Sequence, residues 1–127
     1  DEALRIYLKN LSFAKEFIKN NDNQAYLIDI YAIANKYIYL NELDSANYYN
    51  KFGFKEATSL KNTTTINFFT LNQGVTHYNK KQYKGATDSL KKALVYFEKV
   101  KDYPNSAETY YYLGSTFLKT NNIESAI

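Results

Sequence analysis

The stretch AETYYYLGSTFLKTNNIESAI, residues 107–127, decides how the chain is read. A small residue, Gly114, is followed three positions on by an aromatic, Phe117, and twelve positions on by Ala126, with the bulky Ile123 three before that alanine. Two other segments align with it without gaps: LIDIYAIANKYIYLNELDSAN at 27–47 and NFFTLNQGVTHYNKKQYKGAT at 67–87. They place Ala34 and Gly74 at the small position, Tyr37 and His77 at the aromatic one, Leu43 and Tyr83 at the bulky one, and Ala46 and Ala86 at the alanine. The interval is constant, since 86 − 46 = 40 and 126 − 86 = 40. A fixed period of this size marks a repeat architecture, in which each unit buries its apolar face against its neighbours.

Helices are the expected material of the repeat. The chain has one proline, Pro104, and four glycines, Gly53, Gly74, Gly85 and Gly114, so strand-and-turn punctuation is nearly missing. The small residue and the alanine then let two antiparallel helices approach closely, while the aromatic one turn away fills the gap. In these features the chain resembles the tetratricopeptide repeat, and the third copy matches best. The resemblance implies an all-α, right-handed α-solenoid of antiparallel helix pairs.

The family's repeat is about 34 residues long, roughly six shorter than this one. From the alanine to the next small residue the count is 74 − 46 = 28 and 114 − 86 = 28, while the other interval stays at 12. The surplus is therefore expected in the second helix or the loop after it, enough to lengthen that helix by about 9 Å. Such long repeats resemble those of bacterial signalling proteins.

Ahead of the first full copy, DEALRIYLKNLSFAKEFIKN carries Leu4, Tyr7, Leu8, Leu11, Ala14, Phe17 and Ile18 three or four apart, as on one helical face. It reads as the second helix of a preceding repeat, over 1–22. Full repeats follow at 23–62 and 63–102, and a truncated one at 103–127, so the chain is expected to be a piece of a longer array. Helices are predicted at 2–20, 24–40, 43–61, 64–80, 83–100 and 104–120, with another opening at 123. Thr63 or Thr64 is the expected cap of the fourth helix, and Pro104 with Asn105 or Ser106 suits the opening turn of the sixth.

Composition narrows function mainly by exclusion. At 127 residues and 45% hydrophobic, the chain can form an ordinary core, and a net charge of +3 does not by itself point to nucleic acid or a membrane. The absence of cysteine excludes disulfides, thiolate metal sites and a cysteine nucleophile. No run approaches the ~18 to 20 apolar residues of a membrane span. With His77 the sole histidine, two-histidine metal motifs cannot occur, and His77 itself occupies the aromatic packing position. There is no G-x-S-x-G elbow, Walker loop or dinucleotide turn, and NNDNQ at 20–24 lacks the glycine and terminal glutamate of a calcium loop. No enzyme activity and no cofactor are expected.

Lysines gather in the second copy: Lys80, Lys81, Lys84, Lys91, Lys92, Lys99 and Lys101 against Asp88, Glu98 and Asp102, a local charge of 7 − 3 = +4. With no arginine among them for base-edge readout, a solvated helix face is expected rather than a nucleic-acid site.

What remains is the inner surface of the stacked pairs, which in tetratricopeptide proteins is lined mostly by the first helix of each pair. Position by position, the resemblance implies a partner-binding groove of Tyr31, Asn35 and Tyr39; Asn72, Val75, Tyr78 and Asn79; and Glu108, Tyr111, Tyr112, Ser115 and Lys119. Tyrosine supplies rigid contact area, and asparagine can pair with a peptide backbone through donor and acceptor together. Chaperone-binding members of the family grip an acidic tail through a clamp of lysine, asparagine and arginine. Here Asn35 and Asn72 match it, but its cationic places hold Tyr31, Glu108 and Tyr112, so that specificity is not expected.

The resemblance thus implies a protein- or peptide-binding segment of a bacterial regulator, whose effector, a DNA-binding or histidine-kinase domain, lies outside these residues. The alternative is a self-associating spacer array, such as a homodimer through the repeats. The cytoplasm is the expected compartment, or the periplasm if a signal peptide and membrane segment lie elsewhere.

Overall fold

The computed structural model describes the backbone of residues 1–17 and 23–126, and the side chains of residues 1–12 and 23–121. Six helices follow one another: α1 (Glu2–Phe17), α2 (Asn23–Tyr39), α3 (Leu43–Ser59), α4 (Thr63–Asn79), α5 (Tyr83–Lys99) and α6 (Tyr103–Ala126). No strand occurs among the described residues, so the protein is all-α. The chain divides into two compact units, Asp1–Phe69 and Thr70–Ile127, with the division inside α4.

The four helices α2 to α5 are each 17 residues long, and α2 to α6 begin at 23, 43, 63, 83 and 103. The 40-residue repeat is therefore built from two equal halves of 103 − 83 = 20 residues. One device makes every reversal. Asn41, Lys61, Lys81 and Lys101 take left-handed backbone at φ 57, 55, 62 and 60°. Each donates its N–H three residues back, as Lys61 does to Thr58 at 3.1 Å, and the next residue donates five back, as Asn62 does to Ala57 at 2.9 Å. This paired bonding is the Schellman motif, which satisfies carbonyls left over at the helix end.

The residue that closes one helix opens the next: Glu42, Asn62, Gln82 and Asp102 each accept the following helix's first backbone bond. Before the first helix of a pair this residue is short and caps with its side chain, Asn62 Oδ1 accepting from the Thr65 N–H at 3.0 Å and Asp102 Oδ1 from the Asn105 N–H at 3.2 Å. Before the second helix it is long and does not cap. The cap of α4 is thus Asn62 rather than Thr63 or Thr64, and Asp102 caps α6 with Pro104 inside its first turn. A side chain must sit just outside the helix to reach those N–H groups, and Thr63 is already within it.

Two further expectations change. The surplus residues do not lie in a loop, since each reversal takes three residues. They are not confined to the second helix either, since Gly74 sits 74 − 63 = 11 residues into α4. The predicted break at Asn121–Asn122 is absent, and α6 runs on to Ala126. Asparagine costs a helix interior far less than proline does, so Asn121 and Asn122 do not by themselves stop the helical bonding. The expected helix end at 18–20 and the side chains of Ala14, Phe17, Ile18, Ile123, Ala126 and Ile127 lie outside what is described.

In the first unit, α2 packs on both α1 and α3. Its core gathers Tyr26, Leu27, Ile30, Ala57 and Phe69, with Leu11, Tyr31, Phe52, Leu60 and Ile66 against it. Asn62 Nδ2 donates to Gln24 Oε1 at 2.7 Å, and the Tyr26 hydroxyl donates to Glu56 Oε1 at 3.0 Å, pinning α2 antiparallel to α3. Gly53 of α3 lies where any Cβ would run into the Phe69 ring. Tyr31 of α2 meets the Phe68 ring of α4 at 5.3 Å, so helices two apart are also neighbours.

The second unit repeats this arrangement. Ala86, Leu90, Ala93 and Phe97 form the buried face of α5, which packs on α6. A Cβ at Gly74 would come within 2.7 Å of Leu90 Cγ, and Tyr78 of α4 meets Tyr112 of α6 at 5.6 Å. Contacts to the next helix and the next but one are those of an α-solenoid. Ala46 and Ala86, the signature alanines with described side chains, are fully buried. Buried threonines Thr76, Thr109 and Thr116 return their hydroxyls to the carbonyl four residues back, which lets a polar residue sit inside the stack.

Candidate functional site

The residues expected to line a groove fall in both units, and the structure treats them unequally. In the first unit, Tyr31, Asn35 and Tyr39 lie along one face of α2. Together with Ile28, Ala32 and Lys36 of α2 and Ala3 and Tyr7 of α1, they surround an open groove of about 550 Å³. The helical spacing 28, 31, 32, 35, 39 makes this a continuous stripe. Asn35 is exposed and Tyr39 is 81% exposed, whereas Tyr31 is half-buried, with one side of its ring against Phe68 and Phe69.

The rim of this groove carries one cation. Lys36 Nζ lies 2.9 Å from Asp1 Oδ2 and 5.2 Å from the centre of the Tyr39 ring. Two turns back along α2, Asn10 Nδ2 donates to Asp29 Oδ2 at 2.6 Å, joining α1 to α2. Burial pushes the Asp29 carboxyl upward, and the bond from Asn10 partly offsets this.

In the second unit two assignments need correction. Asn72 is 3% exposed and Val75 is 4% exposed, so neither offers surface to a partner. Carrying the groove over by register assumed the same face open in every copy, but at these positions α4 is covered. The Asn72 Nδ2 is buried with no hydrogen-bond partner.

The other residues of this set cluster at the surface. Tyr78, half-buried on α4, meets Tyr83 at 6.1 Å and Tyr112 at 5.6 Å. Tyr112 meets Tyr111 at 5.2 Å with the ring planes 86° apart, and Tyr111 is 67% exposed. Glu108, one turn earlier on α6, is an exposed residue whose carboxyl is nonetheless pushed upward by desolvation. Desolvation, then the Glu108 charge, then the neighbouring tyrosines push the Tyr112 hydroxyl upward as well. Asn79 and Lys119 are exposed and Ser115 is half-buried on the same helices.

Residues outside the expected set also contribute. Tyr7 was read as part of the buried face of α1, yet it is 37% exposed in the groove, and Ala3, Ile28, Ala32 and Lys36 were not singled out. The signal for the α2 members was their one- and three-residue spacing from Tyr31 and Asn35. His77 is half-buried and its Nδ1 lies 2.7 Å from Gln82 Oε1, at the junction of α4 and α5. Phe117, at the equivalent position, is 49% exposed, and α6 continues past it to Ala126.

Among the described residues there is no cluster of acidic and histidine side chains suited to a metal ion, and no helix long and apolar enough to cross a membrane. The lysines of the second copy point outward: all seven are exposed except Lys80, which is half-buried. Neither any known family model nor any curated protein matches this chain.

Proposed function

We propose that this chain is a non-catalytic scaffold of tetratricopeptide-like repeats that binds a protein or peptide through its first helices. One observation carries the reading: Tyr31, Asn35 and Tyr39, picked out by the family resemblance, line one open groove together with residues of α1. Rigid rings with an exposed amide beside them suit a polypeptide, since the amide can pair with backbone donors and acceptors while the rings cover its side chains. The resemblance of the long repeats extends the proposal to the sensor or interaction segment of a bacterial regulatory protein.

Selection from a random-peptide display library, followed by calorimetry on the chain and on the Asn35→Ala/Tyr39→Ala variant, tests it. Both residues are exposed, so the variant should fold. Selected peptides should lose about tenfold or more in affinity, as expected when an aromatic anchor is truncated. Failure to select any peptide, or undiminished binding by the folded variant, sinks the reading.

A second reading has its own observation. Among the described residues, no atom lies within 4 Å of where a Cβ on Gly114 would stand, and Phe117 and Leu118 beside it are exposed. An uncovered apolar helix face suits self-association. Light scattering distinguishes the two: a tight dimer weakened by Phe117→Ser supports the second, and a monomer with an accessible groove supports the first.

A further inference from the structure

We propose that the tyrosine corner formed by α4 and α6, with Glu108 at its edge, receives one cationic side chain, a lysine or arginine, from a partner polypeptide. The proposal rests on the partner-binding reading of the first helices and gives the chemistry of what one part of that surface takes.

The geometry comes first. Tyr112 stands at 71° to Tyr78 and at 86° to Tyr111, so the rings meet as the walls of a corner rather than as a closed stack. Rings joined edge to face leave π faces free, and a π face attracts a cation through the ring quadrupole. Tyr111 is mostly open to solvent and Tyr78 and Tyr112 are half-buried, so the walls are held while one side stays accessible.

Charge comes second. Glu108 precedes Tyr111 and Tyr112 by three and four residues, which puts its carboxylate on the same face of α6. Among the described residues, no hydrogen bond or ion pair reaches it. Lys119, the cation on the same helical run, is 119 − 108 = 11 residues away, about 16 Å along the axis, too far to pair. The raised pKa of Glu108 fits this picture, since its carboxylate has lost water and gained no counter-charge. An incoming ammonium or guanidinium supplies that charge and lies on the rings together. An uncharged chain of the same length gains only the ring contact, and an anion is repelled.

Titrating the full chain with Nα-acetyl-lysine amide and, separately, Nα-acetyl-norleucine amide, read on the tyrosine ring signals by NMR, tests the proposal. The lysine probe should shift Tyr78, Tyr111 and Tyr112 saturably and bind about fivefold or more tightly than norleucine, the scale of a cation over an accessible ring with a carboxylate beside it. Glu108→Gln, an exposed and helix-compatible change, should remove that preference and leave norleucine unaltered. Equal affinity for the two probes, no saturable shift, or an unchanged lysine preference in Glu108→Gln overturns it. Display-selected peptides that lack lysine and arginine and ignore Glu108→Gln would refute this site while the partner-binding reading stands. Lysine-probe binding with no selectable peptide would do the reverse.

Discussion

Gly74 and Gly114 occupy the same register position one repeat apart, and the structure gives the same substitution opposite signs at the two. In a helix interior, glycine to alanine gains about 0.5–1 kcal/mol by restricting the unfolded chain. At Gly114 none of the described residues stands within 4 Å of the new methyl, so Gly114→Ala should realise that gain in full. At Gly74 the methyl would lie 2.7 and 2.8 Å from Leu90 Cγ and Cδ2 and 3.3 Å from the Leu90 backbone nitrogen. Leu90 is fully buried, so it cannot swing into solvent to make room. Overpacking of this kind costs about 1–3 kcal/mol, which outweighs the backbone gain and leaves Gly74→Ala net destabilising by about 0.5–2 kcal/mol. Urea unfolding followed by circular dichroism resolves both shifts. A double-mutant cycle isolates the cause: in a Leu90→Ala background the two side-chain contacts are gone and only the 3.3 Å approach to the backbone nitrogen remains, so Gly74→Ala should cost less there than in the wild-type background. If Gly74→Ala stabilises the wild-type background as much as Gly114→Ala does, the close approach of α4 and α5 is wrong.

The helix caps should divide by their place in the repeat. Asn62→Ala and Asp102→Ala remove a side-chain cap and should each cost about 1 kcal/mol, whereas Glu42→Ala, where no such bond exists, should fall within about 0.5 kcal/mol of wild type in the same unfolding assay. The left-handed lysines should respond to glycine: Lys61→Gly, Lys81→Gly and Lys101→Gly each relieve a strained φ and should raise stability by about 0.5–1 kcal/mol, read as a higher urea midpoint. Glu108→Gln should stabilise the fold at neutral pH but not in acid. A carboxyl whose folded pKa is raised favours folding in its protonated form, an advantage present below its unfolded pKa and lost as pH rises through the folded one. Melting curves of the two proteins should therefore coincide near pH 3 and separate by pH 7, and a constant separation at both pH values would contradict the desolvated carboxylate.

The helices were legible because their signals are local. The alanine, the small residue and the aromatic recur at fixed spacing, and the first six expected helices begin within a residue of their observed starts, while the seventh, expected at 123, is part of α6. The 20-residue half-period was harder to see, because the two helices of a pair share no side-chain pattern. They share a backbone device, a left-handed residue occupied three times by lysine, and lysine at a loop position reads as ordinary surface. The caps were misplaced for a related reason: Asn62 and Asp102 each end one helix and start the next, so propensity pulled the boundary toward Thr63 and Pro104. In the candidate groove, Tyr31, Asn35 and Tyr39 lie together, while Asn72 and Val75 do not reach the surface. Register identifies the face of a helix but not what covers it, and coverage depends on contacts distant in sequence.

Equivalent positions in the copies divide into those that hold the stack and those that vary on its surface. The positions that set the stack are held: Ala46 and Ala86 are buried without exposure, and the reversal is made the same way four times. On the first-helix face the copies diverge, with Ile28, Phe68 and Glu108 at one position, Tyr31, Leu71 and Tyr111 at the next, and Asn35, Val75 and Ser115 one turn on. Substitution at the first set changes helix spacing and so costs stability, whereas the exposed members of the second, Glu108 and Tyr111 among them, touch little of the core. Chemistry on that face can therefore change from one copy to another without disturbing the stack. A carboxylate on α6 beside tyrosines of α4 and α6, and an amide between tyrosines on α2, are two outcomes of that freedom on one repeated frame.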